Sequence, residues 1–502
     1  MTNKKEKPKE KDNKNYRYQV NKENVDYLKS TYPAIIKAID DGVRCGLGFF
    51  NNQSENMFET KEGRYWVDTI KNYISFIDTK PKAEEIFTTK GQAKRFNELK
   101  PIFYDKSGMF WMWNDIKKFW ELSDDVDILN MIEEATGKDI ISSKNRTEII
   151  NSLKQEGRKN TPKDVKTTWI QFKDKIYDIN TEESFDATPE YFVTNPIPYD
   201  VNGSKDTPIM DKIFNEWVGG DNIKTLYQII AYSLLPDYPI NRLFCFIGGG
   251  MNGKSCFLNL LKKFIGINNI CSTELDTLLT SRFEVTRLHK KLVCMMGETN
   301  FNEMSKTSTL KKLTGGDVIG FEYKNKNPFE EINYAKIIIA TNNLPTTTDK
   351  TVGFYRRWMI VDFPNQFSEK KDILSEIPEE EYSNLAGKCL DLLKELLEKR
   401  EFHKEGTVEE RQKMYEDRSD PLEKFITEFT TDDVESHLTK SNFEKKLNQW
   451  LKDNNHRSMS DIIISKKMKQ KGIESGKTYM DWFENNIIIK KQVRAWFGLK
   501  WK

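Results

Sequence analysis

The chain has 502 residues and carries 79 Lys and Arg against 77 Asp and Glu, which leaves a net charge of +2 at pH 7. At this length we expect about three domains with separate cores, and the balanced charge neither indicates nor excludes a nucleic-acid partner. No apolar run approaches the roughly 18–20 residues that cross a bilayer, so we expect no membrane-spanning segment and no membrane partner.

The N-terminal segment and the cysteines both bear on the compartment. Residues 1–22 are polar and lysine-rich, so we predict a disordered basic tail, either solubilising or in contact with nucleic acid, and not a secretory signal. None of the six cysteines belongs to a C-x-x-C pair, and no His-rich cluster lies near them. Neither a zinc site nor a disulfide framework is indicated, and we expect a cytoplasmic protein.

The first half of the chain is aromatic-rich. Its apolar spacing predicts a helical N-terminal domain at 23–150, with a helix at Asp124–Thr136. A connector at 151–204 follows, and a helix with one apolar face is predicted at Asn222–Leu235. The two strands predicted in the connector are Thr168–Tyr177 and Tyr191–Pro198.

A block at 205–400 alternates short apolar strands with amphipathic helices. The predicted strands are Leu243–Ile247, Leu292–Met296, Lys336–Ala340 and Trp358–Phe363. The predicted helices are Ser255–Phe264 and Thr309–Leu313. Such alternation is typical of an α/β fold with a largely parallel sheet.

One loop in this block fits the pattern G-x-x-x-x-G-K-[ST] between a predicted strand and a predicted helix. The loop and the residue after it are Gly248, Gly249, Gly250, Met251, Asn252, Gly253, Lys254, Ser255 and Cys256. Glycines permit positive φ and close backbone approach, so successive N–H groups can surround phosphate oxygens at a helix N-terminus. We predict that Lys254 holds the β- and γ-phosphates of ATP and that Ser255 binds Mg²⁺. The alternative is a glycine-rich turn without a ligand.

Polar residues end two of the other strands. Glu298 follows an apolar strand, where an NTPase places a carboxylate that holds Mg²⁺ or polarises the attacking water. Asn342 follows Lys336–Ala340 and can orient water against the γ-phosphate. A solvated glutamate turn and a capping asparagine are the alternatives.

Two arginines, Arg356 and Arg357, stand directly before the last apolar strand. One of them is suited to act as an arginine finger, which stabilises transition-state charge on the nucleotide of a neighbouring subunit. We favour Arg357, because alternation along an extended chain would turn Arg356 toward a bracing position. The alternative is an ordinary surface ion pair.

The order and spacing of these motifs resemble superfamily III AAA+ helicases, especially the phage/plasmid primase-helicase family related to poxvirus primase-helicases. The similarity covers about residues 205–370. Its matching positions are Gly248–Ser255, Arg282-Phe283, Leu288, Lys291, Glu298, Leu310–Asp317, Lys326–Pro328, Ala340–Pro345 and Arg356–Phe363. Several members carry two adjacent acids where this chain has Gly297-Glu298.

The resemblance implies an AAA+ P-loop NTPase core that uses ATP with Mg²⁺, and a homo-hexameric ring that pulls DNA through a central channel. In such rings a hairpin projects into the channel, and it corresponds here to the segment from Asp317 to Ile332. Lys324 and Lys326 would contact the DNA backbone without sequence preference. A solvated lysine turn is the alternative.

The region 405–502 differs from the central block. Between Ser441 and Lys502, fourteen Lys and Arg stand against six Asp and Glu. Two helical segments, Phe443–Leu451 and Met459–Lys471, precede an aromatic hairpin, which is the pattern of a C-terminal winged-helix domain. Lys466, Lys467 and Lys469 are candidate contacts to an origin duplex, or else the solvated face of a structural domain.

These features predict an ATP-dependent replicative DNA helicase or replication initiator of a phage, plasmid or mobile element. A bifunctional primase-helicase is one alternative, but primase chemistry in these relatives uses a histidine, and His289, His403, His437 and His456 all lie in or after the motor. A non-unwinding, ATP-dependent origin-binding switch and a packaging-type motor are the others. The Gly-Gly-Asp segment and the hairpin favour the helicase.

Overall fold

A computed structural model describes residues 17–19, 55–59, 64–68, 73–78, 93–94, 96–97, 100–136, 143–297, 303–304, 306–368, 372–454, 456, 458–484 and 487–502. The chain divides into two compact units. The first comprises Met1–Asn114 and Trp120–Lys163, and the second comprises Asp115–Phe119 and Asp164–Lys502. Within the described ranges, every helix is too short or too polar to span a bilayer.

The first unit contains two antiparallel sheets and two helices. Its strands are β1 (Arg17–Gln19), β2 (Glu55–Glu59), β3 (Arg64–Asp68), β4 (Tyr73–Asp78), β5 (Ile102–Tyr104), β6 (Phe110–Asn114) and β7 (Phe119–Ser123). Its helices are α1 (Asp125–Thr136) and α2 (Ser143–Lys159). The strand orders are β1-β4-β3-β2 and β5-β6-β7.

The prediction of a mainly helical domain at 23–150 is therefore wrong for the described residues, although the helix predicted at Asp124–Thr136 is confirmed as α1. The physical reason is composition. Trp111 and Trp113 on β6 and Trp120 on β7 are buried, and aromatic side chains fit the pleated surface of a sheet better than a helix face. The apolar side of α2 supplies Ile149, Ile150 and Leu153 to the core of this unit.

The second unit begins with a small sheet and is then dominated by alternating strands and helices. Its strands before the central sheet are β8 (Trp169–Phe172), β9 (Lys175–Asp178) and β10 (Ser184–Asp186). The segment predicted as one strand, Thr168–Tyr177, is in fact a tight hairpin of β8 and β9. The segment Tyr191–Pro198 does not form a strand, and Ile197 within it makes an isolated bridge with Phe172.

The central part of the second unit follows the predicted alternation. Its strands are β11 (Leu243–Ile247), β12 (Ile270–Ser272), β13 (Val293–Met296), β14 (Glu303–Met304), β15 (Val318–Phe321), β16 (Phe329–Ile332), β17 (Lys336–Thr341), β18 (Thr346–Thr347) and β19 (Trp358–Asp362). Its helices are α3 (Pro208–Val218), α4 (Ile223–Ser233), α5 (Lys254–Ile265), α6 (Leu275–Thr280), α7 (Ser308–Leu313), α8 (Val352–Tyr355) and α9 (Glu379–Lys399).

Five of these strands form a parallel sheet in the order β12-β13-β17-β11-β19. The predicted mixed α/β fold with a parallel sheet is confirmed. The sheet buries a core on each face. Phe246 of β11 and Val361 of β19 belong to the core on one face, whereas Cys245 and Ile247 of β11 belong to the core on the other. Helices α3, α4, α5 and α9 cover one face, and α6 and α7 lie in the core on the other. All five strands end at one edge, where their following loops meet.

The C-terminal part of the second unit contains four helices and a three-stranded sheet in the order β20-β22-β21. The elements are α10 (Val408–Ser419), α11 (Pro421–Phe429), β20 (Thr430–Thr439), α12 (Lys440–Asp453), α13 (Asp461–Gln470), β21 (Ser475–Glu484) and β22 (Ile487–Trp501). The predicted pair of helices and the terminal hairpin are confirmed. Phe425, Phe443, Leu447, Ile464 and Trp496 form part of its core.

Candidate nucleotide and DNA site

The loop Gly248–Gly253, here called the glycine loop, joins β11 to α5 through an unusual backbone. Gly250, Met251 and Gly253 have φ of 104°, 49° and 91°. A Cβ on Gly248 would lie 1.6 Å from Nδ2 of Asn252, and one on Gly253 would lie 2.4 Å from Cδ1 of Trp217. The loop therefore needs glycine at both positions, because there is no space for a side chain.

The ammonium group of Lys254 is the centre of the site. It is buried and donates to the carbonyl of Gly248 at 2.8 Å, to Oδ1 of Asn252 at 2.9 Å and to Oδ1 of Asn342 at 3.2 Å. Asn342 follows β17, which pairs with β11. The fold thus brings together two residues that are 88 positions apart in the chain.

The glycine loop is also fastened to the chain that follows β19. Nδ2 of Asn252 donates to the carbonyl of Phe363 at 3.1 Å, and the N–H of Phe367 donates to the carbonyl of Met251 at 2.7 Å. Three parallel strands therefore contribute to one group of contacts at the carboxyl edge of the sheet. Such an edge, beside a helix N-terminus, is suited to an anionic ligand.

The remaining predicted residues of the loop differ in accessibility. Gly249 and Ser255 are exposed, and Cys256 is half-buried at the start of α5. Burial raises the pKa of the Cys256 thiol, which favours its uncharged form. Glu298, predicted to bind Mg²⁺ and to act in catalysis, lies outside the described residues, whereas β13 ends two residues before it.

The exposure of Arg356 and Arg357 is the reverse of what the sequence predicts. Arg356 is exposed, whereas Arg357 is buried. The guanidinium of Arg357 donates to Oγ1 of Thr314 at 3.0 Å, to the carbonyl of Lys311 at 3.3 Å and to the carbonyl of Gly353. The reason is local: Arg356 ends helix α8 with φ −58° and ψ −18°, so the pair does not alternate as an extended chain would.

The arginines and the glycine loop lie at opposite ends of β19. Trp358 pairs with Leu243 at the start of β11, and Asp362 pairs with Ile247 directly before the loop. At a strand rise of about 3.3 Å per residue, Arg357 is roughly 16 Å from the edge that carries Lys254. Neither arginine is therefore placed to contact a ligand bound in the glycine loop of its own subunit.

Strands β15 and β16 form the hairpin predicted between Asp317 and Ile332. Lys324 and Lys326 at its tip are exposed, and Asn325 between them has a φ of 63°, which makes the tight turn. We refer to Val318–Ile332 as the hairpin. Two cations on an exposed turn can contact phosphate groups without reading bases.

A buried histidine, which sequence reasoning missed, contacts both the turn and the second strand of the hairpin. Nδ1 of His289 lies 2.9 Å from the hydroxyl of Tyr323, and Nε2 lies 2.9 Å from Oε2 of Glu331. Burial acts to raise the pKa of Glu331, but the hydrogen bond from His289 and the charge of Lys290 outweigh it and lower that pKa to about 2. Glu331 is ionised at working pH, and through His289 it attaches β16 of the hairpin to the segment before β13.

The lysines predicted to contact duplex DNA on α13 are not equivalent. Lys466 and Lys469 are exposed. Lys467 lies 3.2 Å from Oδ1 of Asp420, and Lys471 lies 2.6 Å from Oδ2 of the same carboxylate. The structure therefore leaves Lys466 and Lys469 accessible and uses Lys467 to attach α13 to α11.

Sequence reasoning also missed a link between the sheet and the C-terminal helices. Arg418 of α10 donates to Oδ2 of Asp362 at 2.8 Å and to the carbonyl of Asn454 at 3.1 Å. Asp362 ends β19 beside the glycine loop. Only the fold brings these positions together, since no local pattern marks an arginine 56 positions from its carboxylate partner.

Comparison with known proteins places this geometry in context. A family model described as "Family of unknown function (DUF5906)" matches residues 246–357, which include the glycine loop, the hairpin and both arginines. Primase D5 of Fowlpox virus (strain NVSL) is 25% identical over 304 residues, which cover 55% of this chain and 38% of the relative. The chain is thus distantly similar to a poxvirus primase and spans well under half of its length.

Solved structures of the NrS-1 C terminal region were also compared. The apo structure of residues 305–718 has 13% identity and a TM-score of 0.44, with 83% of this chain and 100% of that chain covered. The A form apo structure has 13% identity and a TM-score of 0.42, with coverages of 81% and 98%. At these TM-scores the likeness carries no structural argument.

The glycine loop can be tested by two substitutions that differ only in the space available. Gly248→Ala should lower the free energy of unfolding by about 1–3 kcal/mol, as overpacking does, because its Cβ would displace Asn252 from Phe363. Gly249→Ala is the matched control, since its Cβ would meet only Nε2 of Gln366 at 3.8 Å. Chemical denaturation of both variants is the measurement. Equal stabilities would show that Gly248 is not tightly enclosed.

Proposed function

We propose that this protein is an ATP-dependent DNA helicase of the superfamily III type that acts in the replication of a phage, plasmid or mobile element. The observation that carries the proposal is the contact between Lys254, directly after the glycine loop, and Asn342 at the carboxyl edge of a parallel sheet. A lysine, a close-packed glycine turn and a polar strand end are the parts that phosphate recognition requires.

The residues present fit a nucleotide. The positive φ at Gly250 and Gly253 suits backbone N–H groups that surround phosphates, and exposed Ser255 at the start of α5 suits a Mg²⁺ ligand. Lys254 would hold the terminal phosphates, Glu298 would hold Mg²⁺ or the attacking water, and Asn342 would orient that water. Bound ATP with Mg²⁺ supplies a phosphoryl group whose transfer to water releases the free energy for movement.

The position of the arginines supports an oligomer. Because they lie roughly 16 Å from their own glycine loop, an arginine finger has to act on the nucleotide of a neighbouring subunit. Arg356 is exposed and therefore available, whereas Arg357 is buried by its own subunit. We assign the finger to Arg356 within a homo-hexameric AAA+ ring, since head-to-tail contacts of this kind close into rings.

The hairpin supplies the proposed contact with DNA. Lys324 and Lys326 lie on an exposed turn of a hairpin that His289 contacts at Tyr323 and Glu331. Phosphate contacts of this kind are insensitive to sequence and suit a strand that moves through a channel. The C-terminal part, with two helices and a β-hairpin, is proposed as a winged-helix domain in which Lys466 and Lys469 contact duplex DNA.

Primer synthesis is the second candidate function, and the 25% identity to Primase D5 favours it. The described histidines do not support it directly. His289 is engaged by Tyr323 and Glu331 beneath the hairpin, and His456 is stacked on Trp450. A primer-synthesis assay with ribonucleotides on single-stranded template distinguishes the two functions.

Mixing two inactive variants tests the nucleotide site and the finger together. Lys254→Ala and Arg356→Ala should each reduce ATP hydrolysis, the latter by about 10³-fold, because one loses the phosphate contact and the other the finger. In a mixture, some interfaces pair an intact Lys254 with an intact Arg356, and hydrolysis should return to a measurable fraction of the wild-type rate.

Arg494→Ala, which removes another exposed arginine, is the control and should hydrolyse ATP normally without DNA. If Lys254→Ala hydrolyses ATP at the wild-type rate, the glycine loop is not the nucleotide site. If mixed oligomers form and remain inactive, Arg356 does not act between subunits.

The hairpin is tested by the double variant Lys324→Ala, Lys326→Ala. It should keep basal hydrolysis but lose stimulation by single-stranded DNA and strand displacement on a fork, because the phosphate contacts are gone. Lys212→Ala with Lys262→Ala removes the same charge from two exposed helix positions and should behave as wild type. Unwinding at the wild-type rate by the hairpin variant would remove the hairpin from the mechanism.

A further inference from the structure

Buried Arg357 joins two parts of the second unit, α7 and α8, to which the proposed function gives separate roles. Its guanidinium bonds to Thr314 and Lys311 on one side and to the carbonyl of Gly353 on the other. Gly353 lies within α8, three positions before exposed Arg356. One cation therefore connects the turn that presents Arg356 to the end of α7.

The end of α7 leads directly into the hairpin. Thr314 is fully buried, and only Gly315, Gly316 and Asp317 separate it from Val318. A Cβ on Gly315 would lie 2.7 Å from the carbonyl of Lys311 and 3.2 Å from Nη2 of Arg357. The guanidinium is thus packed closely against Gly315, three residues before the hairpin begins.

A second contact fastens the same two segments. Nζ of Lys311 lies 2.5 Å from Oδ2 of Asp349 and 3.0 Å from Oγ1 of Thr351, directly before α8. Burial acts to raise the pKa of Asp349, but hydrogen bonds from Lys311, Thr307 and Thr351 outweigh it and hold that pKa well below its usual range. Contacts of Arg357 and of Lys311 therefore both join α7 to the segment Asp349–Gly353.

The two adjacent guanidinium groups also influence each other. The pKa of Arg357 is lowered, first by burial and then by the positive charge of Arg356. An anion that approached Arg356 would relieve this repulsion. The electrostatic state of the exposed arginine is therefore felt at the buried one, next to Thr314.

We propose that Arg357 is a positioning residue that links Arg356 to the hairpin, so that occupation of the neighbouring nucleotide site changes the grip of the hairpin on DNA. The inference rests on the proposed function and deepens it by assigning different tasks to the two arginines. Arg356 contacts the nucleotide of the neighbour, and Arg357 passes its position through Thr314 and Lys311 to Val318.

Substitutions at Thr314 test this link without changing either arginine. Thr314→Val removes the hydroxyl that accepts from Arg357 and keeps the shape, whereas Thr314→Ser keeps the hydroxyl. The measurement is the affinity for fluorescent single-stranded DNA, by anisotropy, with and without a slowly hydrolysed ATP analogue. Arg357→Lys is a third variant, because it keeps the charge and the bond from Thr314 to Leu310 but loses the forked geometry.

Wild-type protein and Thr314→Ser should show an affinity ratio of about tenfold between the two conditions, in the range of allosteric coupling. Thr314→Val and Arg357→Lys should show a ratio below about twofold, with DNA affinity in the absence of nucleotide unchanged. A merely structural role would instead lower affinity in both conditions. If Arg357→Lys fails to fold in a thermal melt, the Val and Ser pair decides.

The possible failures are distinguishable. If Thr314→Val keeps the wild-type ratio, the proposed link is wrong although the helicase assignment stands. If wild-type protein does not bind the analogue and its DNA affinity is the same in both conditions, the proposed function itself is wrong. Loss of the ratio in Thr314→Ser as well as in Thr314→Val would also overturn the link, since the serine hydroxyl can still accept from Arg357.

Discussion

The structure of the central α/β part depends on a buried positive charge at the carboxyl edge of the sheet. The ammonium of Lys254 has oxygen partners from Gly248, Asn252 and Asn342, and these bonds join the loop after β11 to the end of β17. A buried charge without partners would cost several kcal/mol, so the edge of the sheet has to close around it. Asn252 extends the same constraint to β19 through the carbonyl of Phe363.

The opposite end of β19 carries the second set of charges. There the guanidinium of Arg357 is enclosed by carbonyl and hydroxyl oxygens, and Arg356 remains exposed. Because a strand is stiff and the two ends are roughly 16 Å apart, a single subunit cannot bring Arg356 to its own Lys254. A head-to-tail arrangement of copies would bring the two ends together, and this is why we propose that catalysis takes place at an interface.

Much of the central α/β fold and of the candidate site could be predicted from local sequence. The glycine loop between an apolar strand and a helix, the strands β11, β13, β17 and β19, and the hairpin with Lys324 all follow from short-range pattern. The region before residue 150 was predicted wrongly, because its apolar spacing was weighed above the preference of aromatic residues such as Trp111 and Trp113 for sheets. The contacts of Arg357 were missed because they depend on a turn, α8, that changes the direction of the chain.

Long-range partners form a further limit to prediction. His289 meets Tyr323 and Glu331, and Arg418 meets Asp362, yet none of these residues stands in a recognisable motif with its partner. The pKa of Glu331 is lowered to about 2 by its partners His289 and Lys290, an effect that no local sequence pattern indicates. Local pattern therefore identifies the chemical groups, and the fold decides which of them meet.

The most direct test of the central claim is an image of the assembled protein. Single-particle cryo-electron microscopy of the full chain with forked DNA and a slowly hydrolysed ATP analogue would locate the nucleotide, the arginines and the strand together. We expect a closed ring in which Arg356 of one subunit reaches the phosphates held by Lys254 of the next, with the hairpins around single-stranded DNA. A ring in which Arg356 faces solvent at every interface, or nucleotide bound away from the glycine loop, would contradict the account.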